Sequence, residues 1–406
     1  MERYGNIKGG KVIGVGSYGC VFSPAIPCKH GRQPENDMVS KLMETLDARK
    51  EMDEIERVTE RLGKIENAER YFGGFGTYMC RPEKITSEDL AGYHCDIGNI
   101  ADLVHNSSST KLPDLSVLQQ KYLGKTVGSY LSHLNEKEEL ILFFQNMISL
   151  LMKGIIPMNE KGIYHLDIKS ENVLVKENAP VIIDWGLSYL TDHSRPITDA
   201  STRGNEYDVD ETNIPMTAYC MFNEPLVARA FYQTADTMGG MIDPRGLSGA
   251  TTVRTIIHQL YHNTYDKEHM RYLLGGIVTP VIEVLNQFHT SRGEIYPYST
   301  SEMLISQYLT RQRELYLLQG SFDHNKLYTD FYYNVDIWGW VMTFVPFLKS
   351  EITGRDGSFS RFLSSEKRRN IRLIISKMIE YLFVCKTGKY DVGVIVAFNE
   401  AAISML

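Results

Sequence analysis

Cysteine is scarce in this 406-residue chain: six residues, at 20, 28, 80, 95, 220 and 385, with no Cys-x-x-Cys among them. That scarcity argues for free thiols in a reducing compartment. Cys28, His30, Cys80, His94 and Cys95 can be imagined around a zinc ion, but their spacing fits no standard zinc pattern. An apolar leader is missing as well. The opening MERYGNIKGG has no hydrophobic stretch and is not a secretory signal. The longest apolar run, IWGWVMTFVPFL at 337–348, falls short of the roughly 18 to 20 residues that a membrane span needs, and predicts a buried core helix instead. Nor is positive charge in excess: 43 Lys and Arg against 50 Asp and Glu give a net −7. No overall field therefore draws in a nucleic-acid backbone, and direct nucleic-acid binding is not expected. Repeats and low-complexity tracts are absent too.

What is present is an ordinary globular composition, 43% hydrophobic and 23% charged, on a chain long enough for two or three compact units. Residues 8–42 read as glycine-punctuated strands. In the following DARKEMDEIERVTERLGKI, Met52, Ile55, Val58 and Leu62 recur at helical spacing, with Asp47 as the expected N-cap. LSVLQQKYL predicts a strand, and Glu136 to Met158 a helix with Leu140, Phe144, Met147 and Leu151 on one side. The short runs VLV and VII suggest a hairpin. Beyond about residue 226 the patterns are mostly helical. Strands first and helices afterwards predict an α+β protein with two lobes and a cleft.

Several groups of residues carry chemistry. Gly14, Gly16 and Gly19 allow a tight strand turn whose amides can approach phosphate oxygens without Cβ interference. Lys41, on the next strand, is a candidate for holding the α and β phosphates. On the helix that follows, at about 100° per residue, Glu51 falls near the middle of the apolar stripe and Glu54 at its margin. Glu51 is the geometric choice to steady Lys41, with Glu54 kept open by the short interval. In GIYHLDIKSENVLV, Asp167 can orient a hydroxyl and take its proton, Lys169 can neutralise a transferring phosphoryl group, and Asn172 can ligate magnesium. Asp184, opening Asp184-Trp185-Gly186 after a buried strand, supplies a second metal position.

In this order and spacing the residues resemble the eukaryotic-type protein kinases. The resemblance spans about residues 9–225 and 331–385. It implies a bilobal fold, with a β-rich N-lobe over 1–123 and a mainly helical C-lobe over 124–406, interrupted by a helical insertion at about 227–330. It implies ATP and Mg2+ as cofactors and protein Ser/Thr hydroxyls as substrate. Gly14, Val15, Gly16, Ser17, Tyr18, Gly19 and Val21 would cover the nucleotide, with Lys41 and Glu51 beneath. Gln120 takes the gatekeeper position, and Lys121 to Leu123 the hinge whose backbone meets adenine. Asp167, Lys169 and Asn172 would be catalytic, and Asn172 and Asp184 would hold metal. His165, Trp185, Gly186 and Asp336 would be structural, because VDIWGW at 335–340 looks like the DxWxxG start of the central helix, with Asp336 bracing the catalytic loop. Shorter matches, VSKLM, RYF and MFNEPL, are similar to kinases of nucleocytoplasmic large DNA viruses. They imply a viral protein of the host cytoplasm, with packaging in virions as the alternative.

Two departures carry meaning. Leu166 stands where the family has the arginine that pairs with an activation-segment phosphate, which implies activity without that phosphate. Trp185 replaces the usual Phe and is expected to pack against the helix bearing Glu51. A small-molecule phosphotransferase and a pseudokinase scaffold are the competing readings. Lys169 and DIWGW speak against the first, and the filled catalytic positions against the second.

Overall fold

Glycines and β-branched residues at the N-terminal end build an antiparallel sheet of five strands in the computed structural model, which describes residues 10–16, 19–30, 33–35, 37–83, 115–191, 272–318, 321–322 and 324–406. Strands β1 (Lys11–Gly16), β2 (Gly19–Ser23), β3 (Met38–Glu44), β4 (Tyr78–Cys80) and β5 (Leu115–Lys121) run in the order β1-β2-β3-β5-β4. Because successive side chains alternate between faces, the register sorts the sheet. Cys20 pairs with Leu42 and Leu42 with Val117, and these residues, with Phe22, Ile26 and Leu115, make one buried cluster. Val21 pairs with Lys41 and Lys41 with Leu118, so these three share the opposite face, as does Gln120 two residues further on.

Helix α1 (Thr45–Leu62) follows β3 directly. Ala48, Ile55, Val58 and Leu62 are its buried residues, so the apolar stripe is present with Ala48 added and Met52 only half-buried. Asp47 does not cap it. The N-cap is Glu44, without a side-chain bond, and Asp47 lies in the first turn, where its charge still suits the helix dipole. The chain divides into two compact units, Met1–Gly124 with Ile183–Gly186, and Lys125–Ile182 with Leu187–Leu406.

The free-thiol expectation is corrected in the first unit. Cys28 and Cys80 form a disulfide across 52 residues, Cys20 is also disulfide-bonded, and Cys385 is the free thiol among the described residues. Sequence spacing could not reveal the approach. The segment after β2 turns back so that Cys28 forms an antiparallel bridge with Pro82, reinforced by Lys29 N–H to Arg81 O and Glu83 N–H to Pro27 O. Buried polar bonds fix the same segment: Ile26 N–H donates to Ser40 Oγ, and Gln119 Nε2 donates to Ile26 O. The imagined zinc site thus loses two of its ligands to a disulfide, and its His94 and Cys95 lie outside the described residues.

The second unit is mainly helical. Its long helix is continuous over Lys137–Glu160 but not uniform: α2 (Val127–His133) precedes α3 (Lys137–Ser149), a π-helical turn over Leu150–Ile155 and α4 (Ile156–Glu160). The widened turn comes just before Pro157, which lacks an N–H and crowds the carbonyl four residues back. Leu140, Phe143, Phe144, Met147, Leu150, Leu151, Ile155 and Met158 on it are fully buried. Among the described residues it is the one helix long and apolar enough to cross a membrane by length and composition. Those eight side chains lie in the core while Leu142 and Met152 are exposed, and no firm transmembrane segment emerges. Strands β6 (Lys125–Thr126), β8 (Val173–Lys176) and β9 (Ala179–Ile182) form one small sheet, with β8 and β9 the expected hairpin, and β7 (Ile163–Tyr164) pairs with β10 (Tyr189–Leu190).

Further helices are α5 (Thr279–Thr290), α6 (Ser301–Tyr316), α7 (His324–Met342), α8 (Ser365–Val384) and α9 (Val392–Met405). The described part of the 227–330 region is mostly helical, with a non-helical connection over 291–300 and a small β pairing of Leu317–Leu318 with Ser321–Phe322. The apolar run at 337–348 is buried throughout, as expected, but is not one helix. It ends α7 at Met342 and continues as a 3-10 turn over Val345–Leu348, where Pro346 prevents an α-helical continuation. Phe143, Phe144, Phe344 and Phe347 form an aromatic core there, and Trp340 Nε1 donates to Met147 O at 3.0 Å.

Candidate functional site

In the first unit, the glycine turn joins β1 to β2 with Gly14 opposite Val21 and Gly16 opposite Gly19; Ser17 and Tyr18 lie outside the described residues. Two of the glycines stand in different surroundings. A Cβ at Gly19 would fall 2.5 Å from Leu42 O and 3.3 Å from Lys41 Cγ, so close strand packing beside Lys41 requires its absence. A Cβ at Gly14 would meet nothing nearer than Val21 at 3.9 Å. Among the described residues no neighbour demands glycine there.

Lys41 projects from β3 to Glu51 on α1, with Nζ 2.6 Å from Oε2 and 2.8 Å from Oε1. Both side chains are about four-fifths shielded from solvent, at 18% and 21% exposure, which strengthens the attraction beyond that of a surface pair. The open choice between Glu51 and Glu54 is thereby resolved for Glu51. Glu54 points elsewhere: its Oε2 lies 4.0 Å from where a Gly186 Cβ would stand. Burial pushes the Glu54 carboxyl above the usual carboxylate range; Glu51, Asp184 and Asp53 add to the rise, and Arg57 opposes it.

A carboxyl with a raised folded-state pKa favours folding most below its unfolded value, and that contribution is lost as pH rises through the raised value. Glu54→Gln removes the loss. The variant is expected to melt about 2 °C above the parent at about pH 8 and level with it at about pH 4, a modest effect because solvent screens half the group. A pH-independent difference in a thermal melt would contradict this.

Asp184 has φ +68°, a left-handed conformation rarely held by a residue other than glycine. Trp185 beside it is buried, with Nε1 donating to Gly73 O at 3.0 Å and its ring 5.9 Å from Phe72. The indole thus meets the turn after α1. Nothing in its sequence context announces the Gly73 acceptor.

The residues expected to meet adenine stand at the end of β5. Gln120 pairs with Val39 and is half-buried; Lys121 pairs with Met38 and is exposed. Tyr122 N–H is bonded to Asp37 O at 2.7 Å, so it is engaged within the unit, and Leu123 is half-buried.

In the second unit, the loop between β7 and β8 holds the remaining candidates. Asp336 on α7 accepts from the backbone N–H groups of His165 and Leu166, both at 2.9 Å. Asn159, with its amide nitrogen turned inward, donates to the same carboxylate at 2.9 Å and to Ile163 O at 3.1 Å. Burial pushes Asp336 upward in pKa, opposed by the field of His165 and by the two backbone donors. These bonds hold Leu166 at φ +63°, buried. His165, fully buried, accepts from Asp167 N–H through Nδ1 at 3.3 Å. Asp167 is thus positioned from behind. In front, its Oδ2 meets Lys169 Nζ at 2.7 Å and Asn172 Nδ2 at 2.9 Å. Asn172 Nδ2 also donates to Asp167 O, which leaves the amide oxygen as the atom to meet a cation.

Sequence reading missed Asn159 and the reason for Gly339. That glycine follows Asp336 by three residues rather than the five of a DxWxxG pattern, and a Cβ on it would lie 2.6 Å from Ile168 O. Its absence lets α7 press against the loop.

Among the described residues, no group of three or more His, Cys, Asp or Glu could hold a metal ion. Asn172 in the second unit and Asp184 in the first each carry a hard oxygen donor of the kind magnesium accepts. The chain matches no family model and no curated protein in comparisons with known sequences.

Proposed function

We propose that the chain is a Mg-ATP-dependent serine/threonine protein kinase with the bilobal protein-kinase fold, unit 1 serving as the small lobe and unit 2 as the large one. The observation that carries this reading is the bidentate Lys41–Glu51 pair behind the glycine turn. A strand lysine steadied by a helix glutamate is what holding the α and β phosphates requires. Gly14, Gly16 and Gly19 cover the phosphates, and Val21 and Gln120 share the sheet face of Lys41. Asn172 and Asp184 hold Mg2+, which when bound neutralises phosphate charge. Asp167 orients the substrate hydroxyl and accepts its proton; Lys169, 2.7 Å from Asp167, balances charge on the transferred group. Lys169 also favours a protein hydroxyl over a small-molecule acceptor.

The test is incubation of the purified chain with γ-labelled ATP, Mg2+ and a protein mixture, followed by phosphoamino-acid analysis. Label on serine and threonine, absent with Asp184→Ala, is the expected result; a parent chain that transfers no label would sink the reading in favour of a pseudokinase.

Buried Leu166 offers no cation for a phosphate, so activity is expected to persist, within about twofold, after phosphatase treatment or after Ser and Thr to Ala and Tyr to Phe exchange across 192–222. Loss of turnover in the folded variant would contradict it.

A further inference from the structure

Without an arginine at position 166, something else must hold the segment that follows Asp-Trp-Gly. The second unit contains a candidate built from rings. Strand β10 lies antiparallel to β7 with Tyr189 opposite Tyr164 and Leu190 opposite Ile163. A two-residue ladder is too short to persist alone in water. Thr191 extends it, its N–H and Oγ1 both donating to Gly162 O at 2.8 and 3.2 Å. Directly opposed residues of an antiparallel pair share a face, and both tyrosines meet Tyr332 of α7: Tyr189 is stacked on it at 5.4 Å and 20°, and Tyr164 lies at 4.8 Å and 41°. Tyr332 is itself buried.

The position of Tyr332 on α7 is the telling feature. It precedes Asp336 by four residues, one helical turn, so the two side chains lie on one face of the helix. Asp336 fixes the backbone of His165 and Leu166; Tyr332 fixes the strand that begins five residues after Asp184. One helix face therefore orders both the catalytic loop and the start of the following segment.

We propose that the Tyr164, Tyr332 and Tyr189 stack holds the segment after Asp-Trp-Gly in its β7-paired form without phosphate, making Tyr189 and Tyr332 positioning residues for phosphoryl transfer. The regulatory part rests on the kinase reading above; the structural part does not. Each ring contact is worth a factor of several in population, so losing Tyr189 from the stack is expected to matter about tenfold.

The experiment compares Tyr189→Ala, Tyr189→Leu and Tyr332→Leu with the conservative Tyr189→Phe and Tyr332→Phe in the full chain. It measures amide hydrogen exchange at Leu190 and Thr191, kcat, and KM for ATP. In the ring-deleting variants, exchange should quicken about tenfold and kcat fall about tenfold, with KM for ATP within about twofold. The Phe variants should behave as the parent. Unchanged exchange at Leu190 and Thr191 in the ring-deleting variants overturns the proposal, as does faster exchange with unchanged kcat. Phe variants as damaged as Leu variants also overturn it, because the hydroxyls rather than the rings would then be responsible. Should Tyr189→Ala fail to fold, Tyr189→Leu and Tyr332→Leu carry the decision. A parent chain without transferase activity defeats the kinase reading alone, and the exchange data still decide whether the stack holds the strand.

Discussion

Asp336→Ala is expected to lower stability by about 3 kcal/mol and to abolish measurable activity. The carboxylate is fully buried and accepts from two backbone N–H groups and the Asn159 amide. Alanine leaves two buried backbone donors without their acceptor, each costing about 1–3 kcal/mol. Part of that is offset because a desolvated charge has also been removed. The left-handed Leu166 then loses the bonds that hold it, and the loop carrying Asp167 relaxes; on the proposed kinase reading, activity is lost with it. Asp336→Asn keeps one acceptor oxygen and should lose about half as much stability. Urea unfolding of the three proteins checks both figures. An alanine variant within about 0.5 kcal/mol of the parent would show that the loop does not depend on this carboxylate.

Asp167→Asn should separate chemistry from folding. The exchange is nearly isosteric, and the backbone N–H of residue 167 still reaches His165 Nδ1. Stability should therefore stay within about 0.5 kcal/mol of the parent. Catalysis should not survive: the amide cannot accept the substrate proton, and the bond from Lys169 loses its ionic character. A loss of about a thousandfold in kcat is expected, the middle of the range for a positioned general base, with nucleotide affinity little changed. Steady-state kinetics beside a thermal melt measures both. An active Asp167→Asn protein would remove Asp167 from the role given to it, whatever the fate of Asp336.

The parts of the molecule legible in its sequence are those fixed over short distances. Helix α1 is readable because its apolar residues recur at one angle, and the same angle favours Glu51 while leaving Glu54 open; only the Lys41–Glu51 contact decides between them. The β8–β9 hairpin and the order of residues 165–172 are equally local. Asp336 is different. It acts across 170 residues, and only the resemblance of VDIWGW to a known helix start pointed to it. Asn159, which shares that carboxylate, had no such help, since one asparagine near a helix end looks like any other. Cysteine counting failed because the Cys28–Cys80 bond depends on a chain reversal whose signals, Pro24 and Pro27, fix local direction but not destination. The helix expected over Glu136–Met158 is present as one continuous helix over Lys137–Glu160, and only its π-helical turn before Pro157 was illegible, because the apolar period runs smoothly through it.

The four residues Ile183–Gly186 belong to the first unit although the chain around them belongs to the second. Synthesis of the N-terminal sheet is therefore not the same event as completion of the unit that contains it. When Gly124 emerges from a ribosome, Phe72 and the Gly73 carbonyl still await an indole encoded 61 residues later. A fragment ending at Gly124 would expose that incomplete seam, which makes it a poor stand-alone expression unit.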